Sequence, residues 1–297
     1  MKDNNQLVSI IILNWNGLQD TINCLDSVLQ ITYSNYKIIV IDNGSTINEA
    51  HILQKRYKNK ITVFRTKKNL GYSGGVNFGI KKSFKYKPDF FLLLNNDVIV
   101  TKEFLNNLVE TSKSNHAIGV VSPIIYDLEQ KSKVLFSGGD INWILARPYN
   151  KTDIPKSVRF ENFITGCSML IKNDVIHKVG LFDNQYFAYF EDAAFSYSAQ
   201  KAGYLLKCDT QAIIYHKESA TAGRESTFYT YLFSRNRIIF TNTFIPKIFG
   251  IYYVFYFTLR LIAALLYFLF TNQINRANAY FRGYIDGYTK KLNFPIL

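Results

Sequence analysis

Short runs of β-branched and large apolar residues recur along the first hundred positions, each followed by a stretch with helical spacing. "LVSIIIL" (7–13), "KIIVID" (37–42), "ITVFRT" (61–66) and "FFLLL" (90–94) read as buried strands. Between them, "LQDTINCLDSVLQI" (18–31), "NEAHILQKRY" (48–57) and "GVNFGIKKSF" (75–84) carry apolar residues on one helical face. Strands alternating with helices predict a doubly wound, mostly parallel α/β sheet. In such a sheet a ligand binds outside the carboxyl ends of the strands. The segments leaving those ends are small, polar and turn-forming: "NWNG", "DNGST", "NLGYSGG" and "NND". All four are expected to converge on one crevice.

The second half is less regular. "SVRFENFITGCSMLIKNDVIHKVGLFD" (157–183) mixes strand and short helix. "EDAAFSYSAQKAGY" (191–204) predicts a helix with acids in its first turn, and "AIIYH" (212–216) a short strand ending on His216. Two helices follow, over 226–244 and 249–270, then an amphipathic segment around 273–291. The expected division is an α/β domain over 1–220 and a helical region over 221–297.

Charge sharpens that division. The chain has 297 residues and a formal net charge of +13, which favours anionic partners. From Thr221 onward nine Lys/Arg face two Asp/Glu, and 20 of the 47 aromatic residues lie there. Basic and aromatic residues beside a long apolar run point to a membrane interface rather than to nucleic acid. Three cysteines (Cys24, Cys167, Cys208) with no metal-type spacing fit a reducing cytosol. "MKDNNQLVSI" lacks the apolar stretch of a signal peptide.

Individual residues admit two readings each. Asp97, at a strand end beside Asn95 and Asn96, suits a hard divalent cation bridging phosphates; it equally suits an Asx-turn capping "KEFLNNLVE". Asp42 could accept from a nucleobase imide or cap a turn. "NLGYSGGVNFG" (69–79) could present backbone N–H groups to a phosphate, or be only a tight loop. Glu191 and Asp192, after the aromatic run "YFAYF", could supply a general base or cap a helix. His216 is a ligand or a satisfied strand-end histidine. Arg235 and Arg237, in "SRNR", could clamp a phosphate or form an interfacial basic face.

Taken together these stretches resemble the family 2 glycosyltransferases, particularly the bacterial rhamnosyltransferase-like branch. The matching pieces come in the family's order: "VSIIILNWNG", "IVIDNGST", "NLGYSGGVNFGI", "FLLLNNDVIV", "ITGCSMLIKND", "GLFDNQYFAYFED", "KAGYLLKCDTQAIIYH" and "YLFSRNR", over roughly residues 7–240. The resemblance implies a GT-A fold with a C-terminal helical, membrane-associating extension. It also implies inverting transfer of a hexose from a nucleoside-diphosphate sugar, with a Mg²⁺ or Mn²⁺ ion. "NND" stands at the DXD-type position, so Asp97 and His216 are the implied metal ligands. Asn14, Asp42, Asn69, Gly75, Asn77, Asn95 and Arg235 are the implied donor contacts. Asp192 matches the catalytic base, with Glu191 its neighbour. Ala194 replaces a second Asp common among relatives, and Ser198 stands near the position of their Arg.

The branch suggests a dTDP- or UDP-sugar donor, rhamnose first, and a growing cell-surface polysaccharide. Residues 249–270 are long enough to span a bilayer, but Arg260 is central and a span would export Arg276, Arg282, Lys290 and Lys291. Helices lying in the cytoplasmic face are therefore preferred, with a buried homo-oligomer interface as the alternative. That places the enzyme in the cytoplasm, peripheral or monotopic at the inner face of the membrane, acting on a lipid-linked glycan. Two further readings compete. A sugar nucleotidyltransferase would carry a Gly-rich, Arg/Lys-bearing signature after the first strand, where "NWNGLQD" stands. A catalytically silent membrane-associated scaffold is the non-enzymatic option.

Overall fold

A computed structural model describes residues 6–217 and 226–292. The chain runs β1 (Val8–Asn14), α1 (Leu18–Val28), β2 (Tyr36–Asp42), α2 (Glu49–Tyr57), β3 (Thr62–Arg65), α3 (Gly71–Ser83) and β4 (Phe90–Asn95). Next come β5 (Val98–Val100), α4 (Phe104–Lys113), β6 (Ile118–Asp127), β7 (Val134–Phe136), β8 (Gly139–Asn142), β9 (Arg147–Asn150), β10 (Phe160–Glu161) and β11 (Ser168–Lys172). The remainder is α5 (Asn173–Val179), α6 (Glu191–Lys201), β12 (Leu205–His216), α7 (Thr227–Phe244), α8 (Gly250–Phe270) and α9 (Ile274–Thr289).

Two compact units emerge. One comprises residues 1–141, 148–187 and 191–218; the other comprises 142–147, 188–190 and 219–297. The first is a mixed α/β unit whose main sheet has the order β10-β12-β6-β11-β4-β1-β2-β3, with β5 on β12 and β7 on β6. The expected parallel arrangement holds where the pattern was regular: β3, β2, β1 and β4 are parallel neighbours. It breaks where the pattern was not. β11 runs antiparallel to both β4 and β6. β12 is longer than the predicted 212–216 strand, because a bulge between Asp209 and Ile213 lets one strand continue from Leu205 to His216 along β6. α3 begins at Gly71, earlier than predicted.

β1, β2 and β4 are buried on both faces, which is why they read as unbroken apolar runs. Register then aligns their tips. Asn14 pairs with Asp42, Asp42 with Arg65, and Leu13 with Asn95.

The second unit is helical. Tyr253 and Phe257 of α8 pack with Ile238 and Ala146 in its core. α7 and α9 approach closely at two glycines. A Cβ on Gly283 would lie 2.4 Å from the Tyr231 carbonyl oxygen, and one on Gly287 would lie 2.8 Å from Ile238 Cβ. Buried Asp286 accepts from the Tyr231 hydroxyl at 2.7 Å.

Candidate active site

The Asp97 turn and the end of β12 are brought together by sheet pairing. β5 lies antiparallel to β12 with His216 opposite Val98, and Lys217 N donates to Asp97 O at 3.0 Å. His216 Nε2 is thereby 3.1 Å from Asp97 Oδ1. The contact is close enough to pair charges but misses hydrogen-bond geometry, so buried Asp97 Oδ1 has no hydrogen-bond partner. Burial disfavours the His216 cation, yet the facing Cys167 sulfur and Asp97 carboxylate outweigh it and lift the pKa to about 11.

A lone orphaned carboxylate oxygen beside an imidazole is a fit for Mg²⁺ or Mn²⁺. Such ions keep several waters and use one or two protein ligands plus substrate phosphates. Among the described residues no group of three or more His, Cys, Asp or Glu could hold an ion by protein ligands alone. A cation here therefore needs phosphate oxygens to complete its shell, and His216 must lose its proton to ligate.

Asp192 begins the other half. It sits in the first turn of α6, and its Oδ2 accepts from Gly166 N at 3.0 Å. Desolvation raises its pKa; Gly166 and Ala193 amides oppose that. Glu191 is buried, has an unpartnered Oε2, and is raised much further by burial and by Asp192. Burial of two adjacent carboxyls thus favours a shared proton, leaving one of the pair as an acceptor. The Tyr72 hydroxyl caps the Gly166 carbonyl from α3.

The short segment Thr165–Cys167 joins the two halves. Cys167 O accepts from Asn95 N at 2.9 Å, its side chain faces His216, and Gly166 holds Asp192. Asp97, His216, Glu191 and Asp192 thus gather around one three-residue stretch.

The remaining sequence-predicted residues fall differently. Asn14 is fully buried, donating to Glu49 Oε2 at 2.7 Å and accepting from Thr21 Oγ1 at 2.8 Å. Asp42 is fully buried; it accepts from Ser45 N at 3.0 Å and Ala50 N at 3.1 Å and pairs with Arg65. Both carboxylate and amide hydrogen-bond within the framework that supports the 42–50 turn. Gly75 permits close packing: a Cβ would lie 2.3 Å from Leu13 Cδ1. Asn77 clamps residues 182–184, donating to Phe182 O at 2.7 Å and Asn184 Oδ1 at 2.8 Å. Both residues take part in packing the loop framework. Asn69 and Asn95 remain half-exposed at the loop and strand tip. Arg235 is buried in the helical unit, bonded to Lys291 O and to Asn236 Oδ1.

Sequence reading missed two residues at the strand tips, buried Asn43 and the more exposed Arg65. Asn43 donates to Asn69 Oδ1 and Gly71 O, both at 3.0 Å, and accepts from Leu70 N, so it shapes the whole 69–71 loop. Arg65, only partly exposed, donates to Ser45 O at 2.6 Å and stands at the same level as Asp42. The signal for Asn43 lay in "DNGST", where Asp42 drew the attention; nothing in the spacing marked Arg65.

Comparison with known proteins agrees with this architecture. A crystal structure of GalNAc-T7 with UDP, GalNAc and Mn²⁺ superposes with a TM-score of 0.67 at 17% identity, covering 81% of this chain and 48% of that one. The mannosyltransferase PcManGT from Pyrobaculum calidifontis, in complex with GDP-Man and Mn²⁺, gives 0.58 at 13% identity over 96% and 88%. These likenesses establish the GT-A type of fold. Among sequences, the low-salt glycan biosynthesis hexosyltransferase Agl10 of Haloferax volcanii is 24% identical over 81% of this chain and 77% of its own. The N-acetylglucosaminyl-diphospho-decaprenol L-rhamnosyltransferase of Mycobacterium tuberculosis is 24% identical over 72% and 79%. An uncharacterized glycosyltransferase of Rickettsia felis is 29% identical over 60% of this chain, which spans 29% of that protein's length. The sequence pattern of glycosyl transferase family 2 matches residues 9–180, and with the polar strand tips and the Asp97 turn inside that span, the chain belongs to glycosyl transferase family 2.

Proposed function

We propose that the protein is a metal-dependent inverting glycosyltransferase. It takes a hexose, rhamnose first, from a dTDP- or UDP-sugar and passes it to a hydroxyl of a lipid-linked cell-surface glycan at the inner face of the cytoplasmic membrane. The observation that carries this reading is the attachment of both chemical ends to Thr165–Cys167: Asn95 N to Cys167 O at 2.9 Å, and Gly166 N to Asp192 Oδ2 at 3.0 Å.

When bound at Asp97 and His216, the cation would neutralise charge building on the departing diphosphate. Asp192 accepts the proton of the acceptor hydroxyl as that oxygen bonds the anomeric carbon. The bond from that carbon to the diphosphate breaks with its electron pair leaving on phosphate oxygen, so the centre inverts in one displacement. Glu191 needs no covalent role. The protonated form that burial favours keeps a second negative charge away from Asp192.

The acceptor assignment draws on the mycobacterial relative, whose name places its sugar on a diphospho-decaprenol, and on the helical unit. The stretch Lys247–Phe270 is long and apolar enough to cross a membrane. It is mostly solvent-facing: Ile251 is 84% exposed, Phe255 69% and Phe270 87%. Lys247, Arg282, Lys290 and Lys291 are exposed in the same unit, while Asp286, the acidic residue among its described positions, is buried. An apolar surface fringed by cations suits an anionic bilayer.

The test is a panel of UDP- and dTDP-sugars with Mn²⁺, scored by donor hydrolysis and by transfer to a polyprenyl-diphosphate glycan. Wild-type turnover that is lost in Asp192→Asn, with nucleotide binding kept, supports the reading. Equal turnover by both proteins overturns it.

A further inference from the structure

The phenol of Tyr72 is the part of "NLGYSGG" that the reaction leaves without a task. Its backbone is held firmly at the start of α3. Gly71 turns the chain there with a φ of +74°, and a Cβ on it would lie 2.4 Å from Phe187 O. Ser73 N donates to that same carbonyl at 3.1 Å. From this anchored start the Tyr72 ring reaches the Thr165–Cys167 stretch, where its hydroxyl donates to Gly166 O.

Gly166 is therefore held from two sides. Its carbonyl accepts from Tyr72, and its N–H donates to Asp192 Oδ2 at 3.0 Å. Glycine has the widest backbone freedom of any residue, so the direction of that N–H depends on what pins the residue. The approach is close. A Cβ on Gly166 would lie 2.9 Å from the Tyr72 hydroxyl oxygen and 3.1 Å from the ring carbon that bears it. A side chain at position 166 would push the phenol away. Burial, then the neighbouring Glu191, Asp192 and Cys167, raise the Tyr72 pKa well above the usual tyrosine range, so the hydroxyl keeps its proton and stays a donor.

We infer that Tyr72 is a positioning residue for the transfer reaction. Its hydroxyl pins the Gly166 backbone and thereby aims the amide that holds Asp192 Oδ2, so the start of α3 sets where the base points. Every residue involved belongs to the α/β unit. The inference rests on Asp192 being the base. A phenol that only filled space would be replaced by phenylalanine at no kinetic cost.

Tyr72→Phe tests it, because the substitution removes one oxygen and keeps the ring. Transfer with Mn²⁺ should fall at least fivefold in kcat, with donor KM within threefold of wild type. Calorimetric binding of UDP or dTDP with Mn²⁺ should be unchanged. A second readout is the pH profile. The Gly166 amide favours ionised Asp192 and opposes the effect of its burial. Loosening that bond should move the acidic limb of kcat/KM to higher pH, with Glu191 and Cys167 still in place beside the base. Gly166→Ala, which presses on the same hydroxyl, should give the same two changes, and it is read by the same criteria if Tyr72→Phe does not fold. An unchanged kcat, a rise in donor KM at constant kcat, or a loss of kcat with the acidic limb unmoved overturns the inference. Asp192→Asn run in parallel separates the two claims. If it turns over normally, the base assignment itself has failed; if it is silent while Tyr72→Phe is normal, only the positioning role has.

Discussion

The two units of this chain place polar and apolar side chains in opposite ways. In the α/β unit Ile, Val and Leu fill the sheet, and asparagines near the strand tips bond to other polar side chains: Asn14 to Glu49, Asn43 to Asn69, and Asn77 of α3 to Asn184. In the helical unit Arg235, Asn236 and Arg237 are buried while Ile251, Phe255 and Phe270 face outward. Water rewards the first arrangement and penalises the second. The contrast teaches that the first unit hides its apolar residues inside a sheet, while the second leaves an apolar face uncovered, the face that the proposed membrane contact would cover.

Removing one charge from the polar crevice tests that half most severely. Asp192→Asn should reduce kcat by about 10²–10⁴-fold, the usual contribution of a general base, while nucleotide binding survives. The raised pKa of the Glu191–Asp192 pair adds a sign. Wild-type kcat/KM should fall toward acid with an apparent midpoint above the ordinary carboxylate value of about 4, since the base must be ionised to act. A midpoint at or below that value would deny Asp192 its desolvated setting.

Asp97→Asn keeps shape and removes the charge next to His216. Nucleoside-diphosphate affinity in the presence of Mn²⁺ should weaken by about 2–4 kcal/mol, and the difference between Mn²⁺ and EDTA should vanish. Calorimetry showing the same Mn²⁺ effect in both proteins would put the cation elsewhere.

The helical unit is probed by Ile251→Glu with Phe255→Glu. Each large apolar side chain buried in a bilayer contributes roughly 1.5–3 kcal/mol, so flotation with phosphatidylglycerol vesicles should be lost. Because both residues are exposed, the melting temperature should stay within about 2 °C. A large drop in melting temperature, or loss of a dimer, would instead mark this face as an interface between copies.

The smallest expected effects compare the two frameworks directly. Gly75→Ala places Cβ against Leu13, and Gly283→Ala against the Tyr231 carbonyl. Each should cost about 1–3 kcal/mol of stability from overpacking, read as a lower melting temperature. Gly75→Ala should also raise donor KM, since Asn43 Nδ2 would lie 3.2 Å from the new Cβ and shapes the 69–71 loop. Gly283→Ala should leave donor KM alone.

Much of the first unit was legible because its strands are buried on both faces and announce themselves as apolar runs. Asp97, His216 and Asp192 each admitted an ordinary capping or strand-end reading, and only the ordered set of motifs singled them out. Asn14 and Asp42 end strands β1 and β2, Gly75 and Asn77 lie in α3, and the hydrogen bonds and packing they make inside the unit were not legible. A sequence reports a residue's type and spacing, but not which of its hydrogen-bonding sides the fold consumes.

The sequence alone was enough to locate β1 to β4 and the C-terminal helices, the polar turns after β1, β2 and β4, and a C-terminal quarter that is basic, aromatic and apolar. Those properties follow from local periodicity and composition, which need no partner to be read. Tertiary structure decided that β11 enters antiparallel and carries Thr165–Cys167 between Asn95 and Asp192. It also decided that β5 sets His216 beside Asp97, and that Asn236 reaches back 48 residues to Ala188. Each of these is a long-range hydrogen bond or register choice, fixed by packing energies that exist only once distant segments meet.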